Sequence, residues 1–253
     1  MKWTVKRAAE VQTAFLLLTR LPAGKLNTYV PKLTDAAWAF PAVGFVVGGI
    51  IAGIYITTSQ FMLPSFASAI FALIFGIFCT GAIHEDGLAD CADGFGGGQN
   101  KEKKITIMTD SAIGSFGMLA LILVMGLRIL MLSSLPSTTE IATGIIICAV
   151  ISRFSMVGYL CFLPAAKQEG LGNQASADNI SSLFFAAIVA LPAFYFGIFS
   201  FVYVIISMLV IALFWGIIAK YQIGGQTGDV CGAGQLLSET MGWVMLASIY
   251  AVQ

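Results

Sequence analysis

The chain has 253 residues, of which only 10% are charged and 58% are hydrophobic, with a mean hydropathy of +0.90. A soluble domain carries about 25% charged residues, so this chain lacks the polar surface of a soluble globule, and it is too rich in aliphatic and aromatic side chains for disorder. Thirteen basic and thirteen acidic residues cancel, which leaves no net field to recruit nucleic acid.

The five cysteines, at 79, 91, 148, 161 and 231, form no C-x-x-C pair, so neither a disulfide framework nor a thiolate metal site is indicated. One histidine, His84, excludes a multi-histidine metal centre. The composition is that of an integral membrane protein in contact with a lipid bilayer.

In chain order, the first thirty residues do not read as a cleaved signal peptide. Their apolar run Ala14–Leu18 is short and Arg20 ends it. The basic, partly amphipathic pattern predicts a helix at the membrane surface. Residues 36–83 then hold 48 positions without a charge. At about 20 residues per crossing this stretch predicts two spans, with a turn near Ser59–Gln60.

Spans follow at about 113–135 and 141–163, each containing one arginine. Residues 179–219, 41 positions without a charge, predict two more, turning near Phe199–Ser200. A further candidate, 230–252, is interrupted by Glu239. The expected fold is all-α: one domain over 1–253, a polytopic membrane bundle of six to seven transmembrane helices with an N-terminal surface helix. A homo-oligomer is compatible with this composition.

Lys2, Lys6, Arg7, Arg20, Lys25 and Lys32 precede the first span, which puts the N-terminus in the cytoplasm. Counting spans then places 84–112, 164–179 and 220–229 on the same side. They hold Lys101, Lys103, Lys104, Lys167 and Lys220, whereas the opposite loops near 59, 136 and 199 hold no lysine or arginine.

The passage His84–Gly98 concentrates the chemistry. Glu85, Asp86, Asp90 and Asp93 put four carboxylates into nine residues. Asp86, Asp90 and Asp93, at i, i+4 and i+7, share one face if the segment is helical. Such a cluster calls for a divalent cation, and oxygen-only ligands favour Mg²⁺, Mn²⁺ or Ca²⁺ over zinc. The bland alternative is a solvated acidic loop. Gly94, Gly96, Gly97 and Gly98 could admit a phosphate to backbone amides or simply form a flexible loop. Lys101, Lys103 and Lys104 read either as polyphosphate contacts or as a positive-inside signal. Asp110 either adds a metal ligand or caps the next helix. His84 could serve as general base or be satisfied by a carbonyl. Arg153, near mid-depth, is expected at an internal polar site, and Arg128 is expected to snorkel to the far interface. The second glycine motif, Gly224–Ala233, supplies Thr227 and Asp229 on the same side, as a substrate or metal contact or as a helix cap.

Together these passages resemble the cobalamin synthase family of adenosylcobinamide-GDP ribazoletransferases. The matching pieces are Phe15–Pro22, Phe40–Gly44, His84–Gly98, Ile107–Gly117, Ile151–Met156, Gly170–Gly172 and Gly224–Ala233, in family order along nearly the whole chain. Glu85 departs from the pattern, which commonly has an apolar residue there. The resemblance implies a Mg²⁺-dependent transferase at the cell membrane. It joins adenosylcobinamide-GDP to α-ribazole or α-ribazole 5′-phosphate and releases GMP. Asp86, Asp90 and Asp93 would hold the metal with Asp110. Gly96, Gly97, Lys101, Lys104, Arg153, Thr227 and Asp229 would contact substrate, and His84 or a carboxylate would act as base. Asp90-Cys-Ala-Asp93-Gly94 also echoes the metal motif of CDP-alcohol phosphotransferases, although their later paired aspartates are missing. A polytopic transporter is the alternative of a different class; its site would lie near the bilayer midplane, whereas these polar groups gather at one face.

Overall fold

A computed structural model describes residues 3–26, 29–136, 139–167, 180–197 and 202–251. Among them the regular structure is helical, in eleven α-helices and one 3₁₀ turn. Helix α1 (Trp3–Leu18) is followed by the short α2 (Leu33–Ala36), the 3₁₀ turn Ala37–Ala39 and α3 (Phe40–Gln60). Next come α4 (Ser65–Thr80), α5 (Ile83–Gly97), α6 (Lys101–Ile107), α7 (Ser115–Ser133) and α8 (Thr139–Phe162). The last three are α9 (Ile180–Gly197), α10 (Val202–Ile223) and α11 (Gly228–Ala251).

All seven segments expected to span contain a helix, and the molecule is a multi-pass membrane bundle. By length and apolarity alone the number is smaller. Among the described residues four helical segments qualify, or five if the bent pair α4–α5 counts as one. Glu239 and the glycines of α11 lower its hydropathy below that of its neighbours. The expected turn near Phe199–Ser200 and the motif Gly170–Gly172 lie outside the described residues.

The core runs between α3 and α8. At Gly44 an added Cβ would stand 2.6 Å from the Ala149 carbonyl oxygen and 2.8 Å from the Val150 Cα. Only glycine lets the two backbones come this close, the device by which membrane helices gain van der Waals contact without a hydrophobic drive. Val43, Val47, Ile51, Ile145, Ile151, Met208 and Trp243 fill the interior. In α7 and α10 the large apolar side chains Leu119, Ile122, Leu123, Leu213 and Phe214 point outward, as lipid-facing positions do.

Helix α1 packs as part of the fold. Its buried face holds Ala14, Leu18 and Glu10, and the Glu10 carboxylate accepts from Arg7 Nη1 and Trp38 Nε1, both at 2.7 Å. The chain turns sharply after α4. Gly81 (φ 67°) and Ala82 (φ 60°) are both left-handed, which ends α4 and turns α5 by 88° from it. Arg20 clasps this corner through its backbone N–H, bonded to the Cys79 carbonyl at 2.7 Å. The acidic passage is therefore a helix crossing the end of the bundle.

Candidate active site

At that end the described parts of the three segments expected on one side do meet. Lys104 Nζ donates to Gln222 Oε1, tying α6 to the end of α10. A parallel bridge joins Ala165 to Gln226, with Ala166 N–H donating to the Gln226 carbonyl at 2.9 Å and Gln226 N–H to the Pro164 carbonyl at 2.8 Å. A Cβ on Gly225 would sit 1.9 Å from the Pro164 oxygen, so this pairing requires glycine there.

The two motifs make one surface. Helix α5 lies against α11 so closely that a Cβ on Gly87 would be 2.7 Å from the Asp229 carbonyl oxygen. Gly87 therefore brings Asp229 beside the acidic face of α5. Asp86 is exposed and Asp90 half-buried on that face. The Asp90 carboxyl is pushed up to about 7 by burial, and then by the negative charges of Asp86, Asp229 and Asp93, with Lys167 opposing. Burial also raises Asp229, against the pull of Lys167 and the Thr227 hydroxyl. This is a surface with more negative charge than its own residues neutralise.

Asp93 is spent differently. It is buried, and its two oxygens accept from Gly114 N–H (2.7 Å) and Gly117 N–H (2.8 Å) at the start of α7. A carboxylate at a helix N-terminus satisfies amides that have no partner within the helix. Asp93 thus binds α7 to α5. Asp110 accepts from Ala112 N–H at 3.1 Å in its own turn. Thr227 is the N-cap of α11, accepting from Val230 N–H at 3.2 Å and donating to Asp229 Oδ2 at 3.2 Å.

The glycines after Asp93 serve packing. A Cβ on Gly94 would lie 2.9 Å from the Lys104 carbonyl oxygen, and one on Gly96 would lie 2.7 Å from the Phe116 ring. Gly97 closes α5 with Ile107 at 3.4 Å from such a Cβ. Lys101 is exposed and reaches over Gly224, where a Cβ would meet its Nζ at 2.6 Å.

His84 and Arg153 are directed elsewhere. Residues 84 and 86 face nearly opposite sides of a 3.6-residue helix, and His84 turns into the bundle, 3% exposed, with neither ring nitrogen bonded. A pocket of only about 20 Å³ lies there, lined by His84, Glu85, Arg128, Arg153, Gln235 and Glu239. Arg128 Nη2 is 3.7 Å and Arg153 Nη1 4.0 Å from Glu239. Gln235 Nε2 donates to Ser152 Oγ at 2.9 Å and also to Glu239. Arg128 does not snorkel: it is 3% exposed, donates to Thr240 Oγ1 at 3.2 Å and lies 4.0 Å over the Trp243 ring. The cost of an unpaired charge among apolar helices turns it inward to Glu239. Arg153, expected to contact substrate, joins the same buried network.

Lys167 is the group that its sequence position did not single out. It counted only as a basic residue on the expected side, yet the bridge between Ala165 and Gln226 anchors its segment beside the acidic surface. The signal available was its place just before Gly170–Gly172.

Comparison with known proteins decides the family. A model of the cobalamin-5-phosphate synthase family matches residues 10–247. The chain belongs to that family. A Mesorhizobium japonicum protein named adenosylcobinamide-GDP ribazoletransferase is 35% identical over 231 residues, 91% of this chain and 89% of that one. Proteins of the same name from Azorhizobium caulinodans and Shewanella woodyi are 36% and 37% identical, covering 96% and 90% of this chain and 96% and 91% of their own. No solved structure matches.

Among the described residues no three His, Cys, Asp or Glu side chains converge as a metal cage. Mg²⁺, however, is commonly held by one or two carboxylates together with substrate phosphates and water. Asp86 and Asp90, one turn apart and short of neutralising charge, fit that smaller requirement.

Proposed function

We propose that this chain is an adenosylcobinamide-GDP ribazoletransferase acting at the cytoplasmic face of the cell inner membrane. It joins adenosylcobinamide-GDP to α-ribazole or its 5′-phosphate and releases GMP. The observation that carries this reading is the approach of α5 to α11, which sets Asp229 beside Asp86 and Asp90. The basic residues of the three segments at that end favour its cytoplasmic placement.

The chemistry is displacement at phosphorus. A ribose hydroxyl of ribazole forms a new bond to the phosphorus carried by the cobinamide arm, and the bond from that phosphorus to the oxygen of GMP breaks. Mg²⁺, held by Asp86 and Asp90, would supply positive charge to the diphosphate. Asp229, on the second helix and raised by burial, takes the hydroxyl proton. Lys167 and Lys101 face the phosphate oxygens, and Lys104 keeps α6 in place through Gln222. Asp93 fixes α7 rather than the metal, and His84 has no part in proton transfer.

The test is the purified protein in detergent with adenosylcobinamide-GDP, ribazole and Mg²⁺, following GMP and corrinoid product together. Equal amounts of both are expected. Flux of either substrate across proteoliposomes, with no GMP formed, would replace the transferase by a transporter.

A further inference from the structure

Beside the acidic surface lies a cavity of about 140 Å³. Its walls are Leu18 from α1, Phe40 from α3, Ile83 from α5, and Met156 and Leu160 from α8. Asp86, Gly228 and Asp229 also line it. Two of the carboxylates assigned to the reaction therefore belong equally to this cavity. An apolar cavity of about 150 Å³ takes up benzene; away from Asp86 and Asp229 the walls here are apolar, so a chamber of this size suits an aromatic ring.

We propose that this cavity binds the base of the nucleoside substrate, an uncharged and largely apolar two-ring aromatic, and leaves its ribose at Asp229. This assignment rests on the ribazoletransferase reading. Ribazole has the same division as the cavity: an apolar benzimidazole at one end and hydroxyls at the other. Burying the first among Leu18, Phe40, Met156 and Leu160 presents the second to the carboxylates, as small-molecule sites commonly do. The other parts of the reaction fit badly. Guanine carries hydrogen-bonding groups along its edges, which these apolar walls would leave unpaired at substantial cost, and a corrin ring is too large.

The larger cavity does not compete. Its 420 Å³ lie between α8, α9 and α10, and its lining contains no carboxylate, only Lys220 and apolar or weakly polar side chains. It shares no residue with the acidic surface.

Gly228 offers a clean test, because a Cβ built there meets nothing within 4 Å. Gly228→Leu should extend from that open position into the cavity, and Leu160→Ala should remove part of its wall. Each is expected to raise the KM for ribazole by about tenfold or more, with the KM for adenosylcobinamide-GDP and the melting temperature of Gly228→Leu unchanged. Equilibrium dialysis of labelled ribazole without Mg²⁺ gives a second readout: wild type should bind it and Gly228→Leu should not. Unchanged ribazole KM in both variants of an active enzyme, or a shift confined to adenosylcobinamide-GDP, overturns the assignment. If wild type makes no GMP, the transferase reading falls. Dialysis then decides the cavity by itself: ribazole retained by wild type and lost in Gly228→Leu supports it, and equal binding overturns it.

Discussion

Helix α5 has ionisable groups on both sides and treats them in opposite ways. Toward the bundle, His84 and Glu85 meet Arg128, Arg153 and Glu239, two arginines with two glutamates, around a pocket with room for about one water. Toward the end of the bundle, Asp86, Asp90 and Asp229 crowd together, with the charge of Lys167 opposing that of Asp90 and Asp229. Balanced charge shut inside a membrane bundle holds helices in register, since any unpaired member would be costly. Unbalanced charge at a wet surface leaves the carboxylates available to a cation and a phosphate. The contrast separates residues that build the site from residues that use it.

The sharpest break in this contrast comes from Glu239→Ala. It leaves Arg128 and Arg153 without their shared partner, and removal of one member of a buried pair costs about 3–5 kcal/mol. A large drop in melting temperature in detergent is expected; an unchanged melt would show that the network does not support the bundle.

Asp90→Asn should do the reverse. Turnover should fall on the order of 10²–10³-fold, the scale of losing one preorganised electrostatic contact, while stability rises. The folded-state value near 7 lies above the ordinary aspartate value of about 3.9. The folded chain therefore binds the proton more tightly, and wild-type stability from this group is present at low pH and lost as pH rises through 7. The melting-temperature gain of Asp90→Asn should accordingly be larger at pH 8 than at pH 5. A gain that shrinks with pH would remove Asp90 from the repelling cluster.

Asp93→Ala tests a group lying between the two sides. Losing its bonds to the amides of Gly114 and Gly117 should cost about 1.5–3 kcal/mol and loosen the start of α7, seen as faster amide exchange there. Full stability with loss of Mg²⁺ binding would instead make Asp93 a metal ligand.

The smallest effect is in metal affinity. Mg²⁺ competes with the proton on Asp90, so the concentration giving half-maximal activity should fall about tenfold from pH 6 to pH 8. A flat profile would detach Asp90 from the metal.

Much of this was legible in the residues. Charge-free lengths marked the helices, and the i, i+4 spacing put Asp86 and Asp90 on one face because helical geometry fixes that. The same spacing could not reveal that Asp93 turns its oxygens to α7, since the amides it meets lie 21 and 24 positions onward. Arg128 was misplaced for a related reason: depth in a span says nothing about which side of the helix meets Glu239, 111 positions away. The glycine run by itself is compatible with room for a phosphate or with a flexible loop, whereas in the fold Gly94 and Gly96 make room for α6 and Phe116. Packing partners distant in sequence decided each of these.

The central claim is that α5 and α11 form one active surface, and Asp229→Asn tests it most directly. The change is nearly isosteric, and Thr227 continues to cap α11 through Val230. Steady-state GMP release should fall by about 10²–10⁴-fold, with the melting temperature kept. Wild-type kinetics for both substrates, or a loss explained entirely by a lowered melt, would contradict the claim and return the Gly224–Ala233 motif to a purely structural role.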